Sequence, residues 1–183
     1  MFTVRRGLCA ATATATVVLA LVGAGPDAGA GESASERPTA ASVAEVRRAT
    51  AAYHDPAVAL ADGFVPTEEC SVHPELGGMG LHYVNPGRLM DPAVLATEPE
   101  VLLYEPQADG TLRLVGVEWF SVDPDQDAST DAGRPSILGV PFDGPMMGHE
   151  PGMPVHFDLH AWIWKQNPAG DFAAWNPTVR CDR

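Results

Sequence analysis

The segment from Pro154 to Trp164 alternates between two kinds of side chain, and this alternation constrains the fold more than any other feature of the chain. One set of alternating positions is apolar and comprises Val155, Phe157, Leu159, Ala161 and Ile163. The other set carries two imidazoles, a carboxylate and two indoles, and comprises His156, Asp158, His160, Trp162 and Trp164. Successive side chains of a β-strand point to opposite faces of a sheet. We therefore predict a strand with one face in the core and one face suited to lining a site.

A helix over the same segment would place His156 and His160 one turn apart, as in zinc proteases. That motif also needs a glutamate directly after the first histidine, and Phe157 stands there instead. The β-branched and aromatic content favours a strand. On a strand the two histidines lie roughly 13 Å apart, which is too far for both to bind one ion.

The N-terminus has the features of a secretory signal. Arg5 and Arg6 precede an apolar run over Leu8–Val22, and small residues follow at positions 28–30. The run is shorter than the about 20 residues that a membrane span needs, although a retained N-terminal anchor is the alternative. We expect a signal peptide over residues 1–30, a secreted mature chain starting near Gly31, and no membrane span in that mature chain.

The chain is strongly acidic, with a formal net charge of −13. Removing residues 1–30 would delete Arg5, Arg6 and Asp27 and bring the charge to −14. Such a surface argues against nucleic acid or anionic lipid as partners. It is compatible with cations, and solubility explains it equally well.

Two cysteines follow the expected cleavage site, Cys70 and Cys181. In an oxidising compartment they most simply form one disulfide, which would tie the C-terminus to the start of the folded domain. The alternative is a metal site that uses Cys70 and His73, but a lone pair at that spacing is a weak signal.

The order of predicted elements indicates an α+β fold in one domain over residues 40–183, after a disordered lead-in over residues 31–39. One helix begins at Ala40, and a second begins after Asp55 and ends at Gly63. Further segments are predicted as strands at 80–84, 100–105, 111–122 and 154–164, a helical turn at 91–96, and loops at 123–135 and 141–154. Two helices packed on a curved antiparallel sheet would resemble cone-shaped cystatin-like or NTF2-like domains, or a small barrel.

Glu118 is the second clue to a site. On the predicted strand 111–122 it shares a face with Leu112, Leu114, Gly116 and Phe120, so its carboxylate lies among apolar neighbours. A buried carboxylate must be paired, hydrogen-bonded, protonated or bound to metal. A position at the strand end, with the carboxylate in solvent, is the alternative.

Histidines and carboxylates from several segments could form one metal site. Adjacent same-face pairs on the strand are about 6.6 Å apart and can share an ion, unlike the two histidines at its ends. The predicted ligands are His82, Glu118, His156, Asp158 and His160. His149 and Glu150, from the loop before the strand, are further donors.

The donor types suit zinc or copper better than calcium or magnesium, which prefer all-oxygen shells. The methionines of the 141–154 loop, Met146, Met147 and Met153, could supply soft ligands for Cu(I). Methionine is more often a packing residue.

Two alternatives to a metal site remain open. In the first, Asp158 orients His160 for acid–base catalysis in a small hydrolase or isomerase, and Trp162, Trp164 and His149 line a pocket for a small molecule. In the second, the polar face is structural or contacts another protein.

Four strings of the sequence are similar to a family of exported bacterial proteins: Gly80–Pro86, Pro99–Tyr104, Leu114–Glu118 and His160–Pro168. The resemblance covers roughly residues 52–181. It implies secretion and a single domain, and it carries no catalytic role.

Overall fold

The structure is a computed structural model, and it describes residues 40–150 and 152–182. The expected signal peptide and lead-in, residues 1–39, lie outside the described residues. The helical elements are α1 (Ala40–Thr50), a 3₁₀-helix (Ala51–His54), α2 (Pro56–Ala61) and α3 (Pro86–Leu89). The strands are β1 (Val65–His73), β2 (Gly77–Val84), β3 (Val101–Pro106), β4 (Leu112–Val122), β5 (Ser136–Ile137), β6 (Val140–Pro141), β7 (Asp143–Met146) and β8 (His156–Ala161).

Six strands form one antiparallel sheet in the order β1-β2-β3-β4-β8-β7, and β5 pairs with β6 separately. The α+β class is therefore confirmed. The large sheet begins at β1 and ends at β7 without closing, so the small-barrel alternative is wrong. The cone-shaped curvature stays a prediction.

Local capping explains where two short helices begin. The Asp55 side chain accepts a hydrogen bond from the backbone N–H of Ala57, and Pro56 occupies the first turn of α2. Asn85 caps α3 in the same way. The helical turn predicted at 91–96 is wrong, because Asp91 accepts one hydrogen bond from Ala93 N–H in a local turn and no helix propagates.

The two faces of the sheet bury different clusters. One face packs against the helices through a large apolar cluster that includes Leu102, Trp119 and Leu159. The other face carries a smaller cluster that includes Leu103 and Trp162. Val179, from the C-terminal segment, packs in this cluster. The predicted disulfide between Cys70 and Cys181 is confirmed, and it holds the C-terminal segment beside β1.

A β-bulge in β4 changes which residues share a face. Leu103 pairs with Gly116 and Tyr104 pairs with Leu114, so Val115 is the extra residue. Leu112 and Leu114 consequently pack in the helix-side cluster, whereas Glu118 lies on the opposite face. The prediction that these three residues share a face is wrong, because one inserted residue inverts the alternation beyond it.

No helix among the described residues combines the length and apolar character needed to cross a membrane.

Candidate metal centre

Three side chains from three strands of the large sheet converge on one point. His82 lies on β2, Glu118 on β4 and His160 on β8. Glu118 pairs directly with His160 across the β4–β8 ladder. His82 lies on the far side of β3, two strand spacings of about 4.8 Å from β4, so the His82 and Glu118 side chains bridge that width toward each other.

The distances within this group suit a single metal ion. Glu118 Oε2 lies 3.5 Å from His82 Nε2 and 3.7 Å from His160 Nε2. One ligand atom from each residue lies within 4.8 Å of the other two. Four ligands around zinc at 2.0–2.1 Å would stand about 3.4 Å apart, close to these separations.

The group is shielded from solvent, and its buried atoms lack protein partners. The His160 side chain is 1% exposed, that of Glu118 10% and that of His82 16%. Within the described part of the chain, Glu118 Oε2 and both ring nitrogens of His160 form no hydrogen bond. Buried polar atoms are rarely left unpaired in native proteins, and each such atom calls for an explanation.

Burial keeps both imidazoles neutral. It lowers the pKa of His82 to about 4, with a smaller contribution from the His149 charge. It also lowers the pKa of His160 to about 3, with a smaller contribution from His82. A neutral imidazole is the form that donates a lone pair to a metal, so both rings are ready to act as ligands at neutral pH.

Acidic groups around the site repel one another. Burial raises the pKa of Glu118 well above its usual value, and the charges of Asp158 and Glu100 raise it further. The pKa of Asp158 is raised to about 7, by burial first and by Asp143 second. A bound cation would relieve this repulsion, because its charge favours the ionised form of each carboxyl.

Asp158 lies two residues before His160 on β8, near its second ring nitrogen. Its Oδ1 is 3.9 Å from His160 Nδ1 and forms no hydrogen bond with the described residues. Metal-ligating histidines generally direct the second ring nitrogen to a carboxylate or carbonyl. Asp158 thus lies near the second ring nitrogen of His160, at a distance too long for a hydrogen bond, and it is not among the three residues whose ligand atoms converge.

The structure does not bring His156 into this group. Its ring stacks on Phe120 with centroids 4.8 Å apart, and its Nδ1 lies 3.0 Å from the Pro154 carbonyl oxygen. The exposed ring of His149 packs edge-on against His156 at 5.5 Å. His149 and His156 therefore form a neighbouring pair on the same side of the sheet.

Trp162 and Trp164 belong to different apolar clusters. Trp162 lies next to His160, with ring centroids 6.5 Å apart, and donates its indole N–H to the Ala173 carbonyl. Trp164 follows the end of β8 and packs against the helix-side cluster, and its indole N–H donates to Thr50 Oγ1. The structure places Trp162 beside the metal group and Trp164 away from it.

Sequence reasoning missed Glu100 and Asp143, which shape the electrostatics of the site. Glu100 is buried just before β3 and accepts a hydrogen bond from Phe120 N–H; burial raises its pKa to about 7. Asp143 pairs with Asp158 across the β7–β8 ladder. No motif marks either residue, and only the strand register brings them close.

Comparison with known proteins yields no family model, no curated protein and no solved structure that matches the chain.

Proposed function

We propose that the protein binds one transition-metal dication, preferentially Zn²⁺, through His82, Glu118 and His160. The observation that carries this proposal is the meeting of three metal-ligating atoms, all within 4.8 Å of one another, from three separate strands. Two nitrogen donors and one carboxylate oxygen form a donor set that zinc sites commonly use.

The buried polar atoms that lack a hydrogen-bond partner support the proposal independently of the donor types. Glu118 and His160 are buried polar residues at the centre of a sheet. Leaving such groups without partners costs about 1–3 kcal/mol each. A dication would satisfy Glu118 Oε2 and one nitrogen of each histidine at the same time.

The donor set favours zinc or Cu(II) over Cu(I). Cu(I) prefers soft sulfur ligands. Met146 pairs with His156 in the β7–β8 ladder, and the Met147 side chain is exposed, so neither extends the group that contains Glu118. The copper alternative therefore depends on the His–Glu–His group alone.

Three protein ligands leave a fourth coordination position for water or a small ligand. The partial exposure of the His82 and Glu118 side chains gives that position a route to solvent. A small molecule bound there would have Trp162 beyond His160 as an apolar neighbour. Small-ligand binding is thus part of the same proposal, with the metal as the anchor.

Acid–base catalysis by His160 and Asp158 has weaker support. Their nearest atoms are 3.9 Å apart, which is longer than a hydrogen bond. Burial also raises the pKa of Asp158 and lowers the pKa of His160. It therefore favours a protonated carboxyl beside a neutral imidazole, and not the ion pair that a catalytic His–Asp pair uses. We therefore propose Asp158 only as an outer-shell neighbour of His160.

We place this function outside the cell. The Cys70–Cys181 disulfide is compatible with an oxidising compartment. The N-terminal sequence, which has the features of a secretory signal, also supports this location.

The test is metal analysis of untagged protein. Protein stripped with a chelator, incubated with Zn²⁺ and desalted should retain one zinc per chain by elemental analysis. The variants His82→Gln and Glu118→Gln should retain far less, whereas His54→Ala, which removes an exposed histidine of the 3₁₀-helix outside the group, should retain one. Folded wild-type protein that retains neither zinc nor copper, or equal retention by all variants, would refute the proposal.

A further inference from the structure

A second group of acidic residues lies where the chain leaves β4. Asp123, Asp125 and Asp127 occupy alternate positions, and Ser129 follows at the same spacing. Aspartates at alternate positions supply the first ligands of many calcium-binding loops. Two positions depart from the usual loop: Ala128 replaces the turn glycine, and Arg134 replaces the final glutamate.

Asp123 carries a buried carboxylate at the start of this loop. The residue is 1% exposed, and neither carboxylate oxygen accepts a hydrogen bond from the described residues. Burial raises its pKa and the adjacent Asp125 carboxylate raises it further, while the nearby backbone N–H groups of Asp125 and Asp127 offset part of that rise. A shielded carboxylate that faces a second carboxylate is unfavourable unless a proton or a cation lies between them.

No basic side chain neutralises this pair within residues 40–150 and 152–182. The nearest candidate along the chain, Arg134, forms an ion pair with Asp131 and donates to the carbonyls of Phe142 and Gly144. The ion pairs of the described residues include neither Asp123 nor Asp125. Among the described residues, no basic side chain therefore compensates the charge of the two carboxylates.

The loop holds the two carboxylates in place. The Gln126 side chain donates to the carbonyls of Asp123 and Val155 and accepts from Val155 N–H, which ties the loop to the residue before β8. Asp125 accepts hydrogen bonds from Asp127 N–H and from the Thr130 hydroxyl. Hydrogen bonds thus hold the loop in place, with the Asp125 carboxylate close enough to Asp123 to raise its pKa.

We propose that this loop binds Ca²⁺, with the carboxylates of Asp123 and Asp125 as its side-chain ligands. Calcium accepts six to eight oxygen ligands in flexible geometry, and backbone carbonyls and water can complete the shell. We assign no ligand role to Asp127, because its backbone N–H, and not its carboxylate, acts on the Asp123 carboxyl. With few protein ligands, the dissociation constant should lie at the weak end for extracellular modules, roughly 0.1–1 mM.

The site differs in chemistry from the proposed zinc centre. Asp123 and Asp125 offer only oxygen donors, whereas His82 and His160 offer nitrogen. Hard cations such as Ca²⁺ select the first set, and zinc selects the second. The two sites can therefore be tested separately in one protein.

The test is calorimetric titration of chelator-treated protein with CaCl₂, together with thermal unfolding. Wild type should bind one Ca²⁺, and its Tm should rise by about 3–6 °C in 10 mM Ca²⁺. Asp123→Asn and Asp125→Asn should each abolish the rise. Asp109→Asn is the matched control: Asp109 accepts hydrogen bonds from Thr111 in an exposed turn, like the loop aspartates, but faces no second carboxylate, so the Ca²⁺ response should persist.

His82→Gln should also keep the calcium response, because it alters only the zinc centre. Three results would overturn the proposal: no saturable calcium heat in wild type up to 10 mM, an equal response to Mg²⁺, or an equal loss in Asp109→Asn. Two loop variants are used so that a folding defect in one still leaves a decisive measurement from the other.

Discussion

Glu118 Oε2 lies 3.7 Å from Nε2 of His160, the residue directly opposite it in the β4–β8 ladder. The same oxygen lies 3.5 Å from Nε2 of His82, which reaches it from beyond β3. Glu118 is thus the shared centre of the group, and sheet register sets the distances to both histidines. A site built into the inner strands of a sheet is rigid, because moving one ligand requires moving a strand.

Replacing Glu118 by glutamine should affect stability and metal affinity in opposite directions. The amide keeps the side-chain volume but removes a buried charge repelled by Asp158 and Glu100. We expect the metal-free variant to be about 1–3 kcal/mol more stable than metal-free wild type. Its zinc affinity should fall by roughly 100-fold, because a direct ligand matters at least as much as an outer-shell partner.

Urea unfolding in chelator and zinc titration measure the two effects. Glu69→Gln, an exposed change on β1, is the control and should alter neither quantity. A metal-free Glu118→Gln variant that is less stable than wild type yet binds zinc normally would contradict the prediction.

Asp158→Asn should weaken zinc binding without changing its stoichiometry. Asp158 lies near Nδ1 of His160 and does not belong to the group of three ligand atoms. Loss of such an outer-shell carboxylate typically reduces metal affinity 10–100-fold. Competition with a chromophoric chelator measures the affinity, and Asp109→Asn, an exposed change in the turn before β4, is the matched control. Complete loss of zinc from a folded Asp158→Asn protein would instead make Asp158 a direct ligand.

The alternation of residues 155–161 was sufficient to predict the faces of β8. His156, Asp158 and His160 pair with Val122, Phe120 and Glu118, so all three lie on the face that the sequence predicts. Period-two patterning is a strong signal where one face is apolar. His156 was nevertheless among the predicted ligands, and it lies outside the group of three converging residues.

The sequence could not predict features that depend on contacts between distant segments. The bulge at Val115 inverts the alternation of β4, and no local signal announces it. The sequence pattern did not predict β1, because its Thr-Glu-Glu run is polar and the strand lies at an edge of the sheet. The convergence of His82 with Glu118 depends on the order of β2, β3 and β4 in the sheet, which alternation within one strand does not encode.

The acid sensitivity of the fold should depend on Glu105. This buried carboxylate accepts two hydrogen bonds of 2.7 Å from Lys165 Nζ and one from Arg180 N–H. Burial alone would raise its pKa, but the Lys165 and Arg180 hydrogen bonds outweigh burial and lower it. A carboxyl whose folded-state pKa is depressed stabilises the fold above its unfolded pKa, about 4.5, and loses that contribution as pH falls through the folded value.

Glu105→Gln should therefore destabilise the protein by about 2–4 kcal/mol at pH 7 and by progressively less below pH 4.5. Urea unfolding between pH 3 and pH 7 measures the difference. Glu45→Gln, which alters an exposed pair with Arg48 at 3.9 Å, should change stability by less than about 0.5 kcal/mol at every pH. A Glu105→Gln deficit that is constant over this range would contradict the linkage.

Removing the disulfide should lower stability and spare the metal centre. Cys70 and Cys181 are 111 residues apart, and their bond restricts the unfolded chain. The double variant Cys70→Ser/Cys181→Ser should lose about 2–5 kcal/mol. Because Cys70 lies on the edge strand β1 and the ligands lie on β2, β4 and β8, one zinc should still bind. Loss of zinc from the folded double variant would show that the C-terminal segment supports the site.

Gly116→Ala should disturb the metal centre by separating strands, without touching a ligand. A Cβ at Gly116 would lie 2.8 Å from the Ala161 carbonyl oxygen and 3.3 Å from Leu103 Cδ1. The first contact is with backbone of the residue that follows His160, so β4 and β8 must move apart. Overpacking of this kind costs about 1–3 kcal/mol. We also expect zinc affinity to fall, because the Glu118–His160 distance depends on that spacing.

Gly87→Ala is the matched control for Gly116→Ala, since its Cβ would meet only the Asn85 side chain, at 3.3 Å, in α3. It should bind zinc like wild type. Thermal unfolding and zinc titration on both variants distinguish the outcomes. If Gly116→Ala loses stability but keeps wild-type zinc affinity, the ligand distances do not depend on the β4–β8 spacing, and the metal centre is more adaptable than its place in the sheet implies.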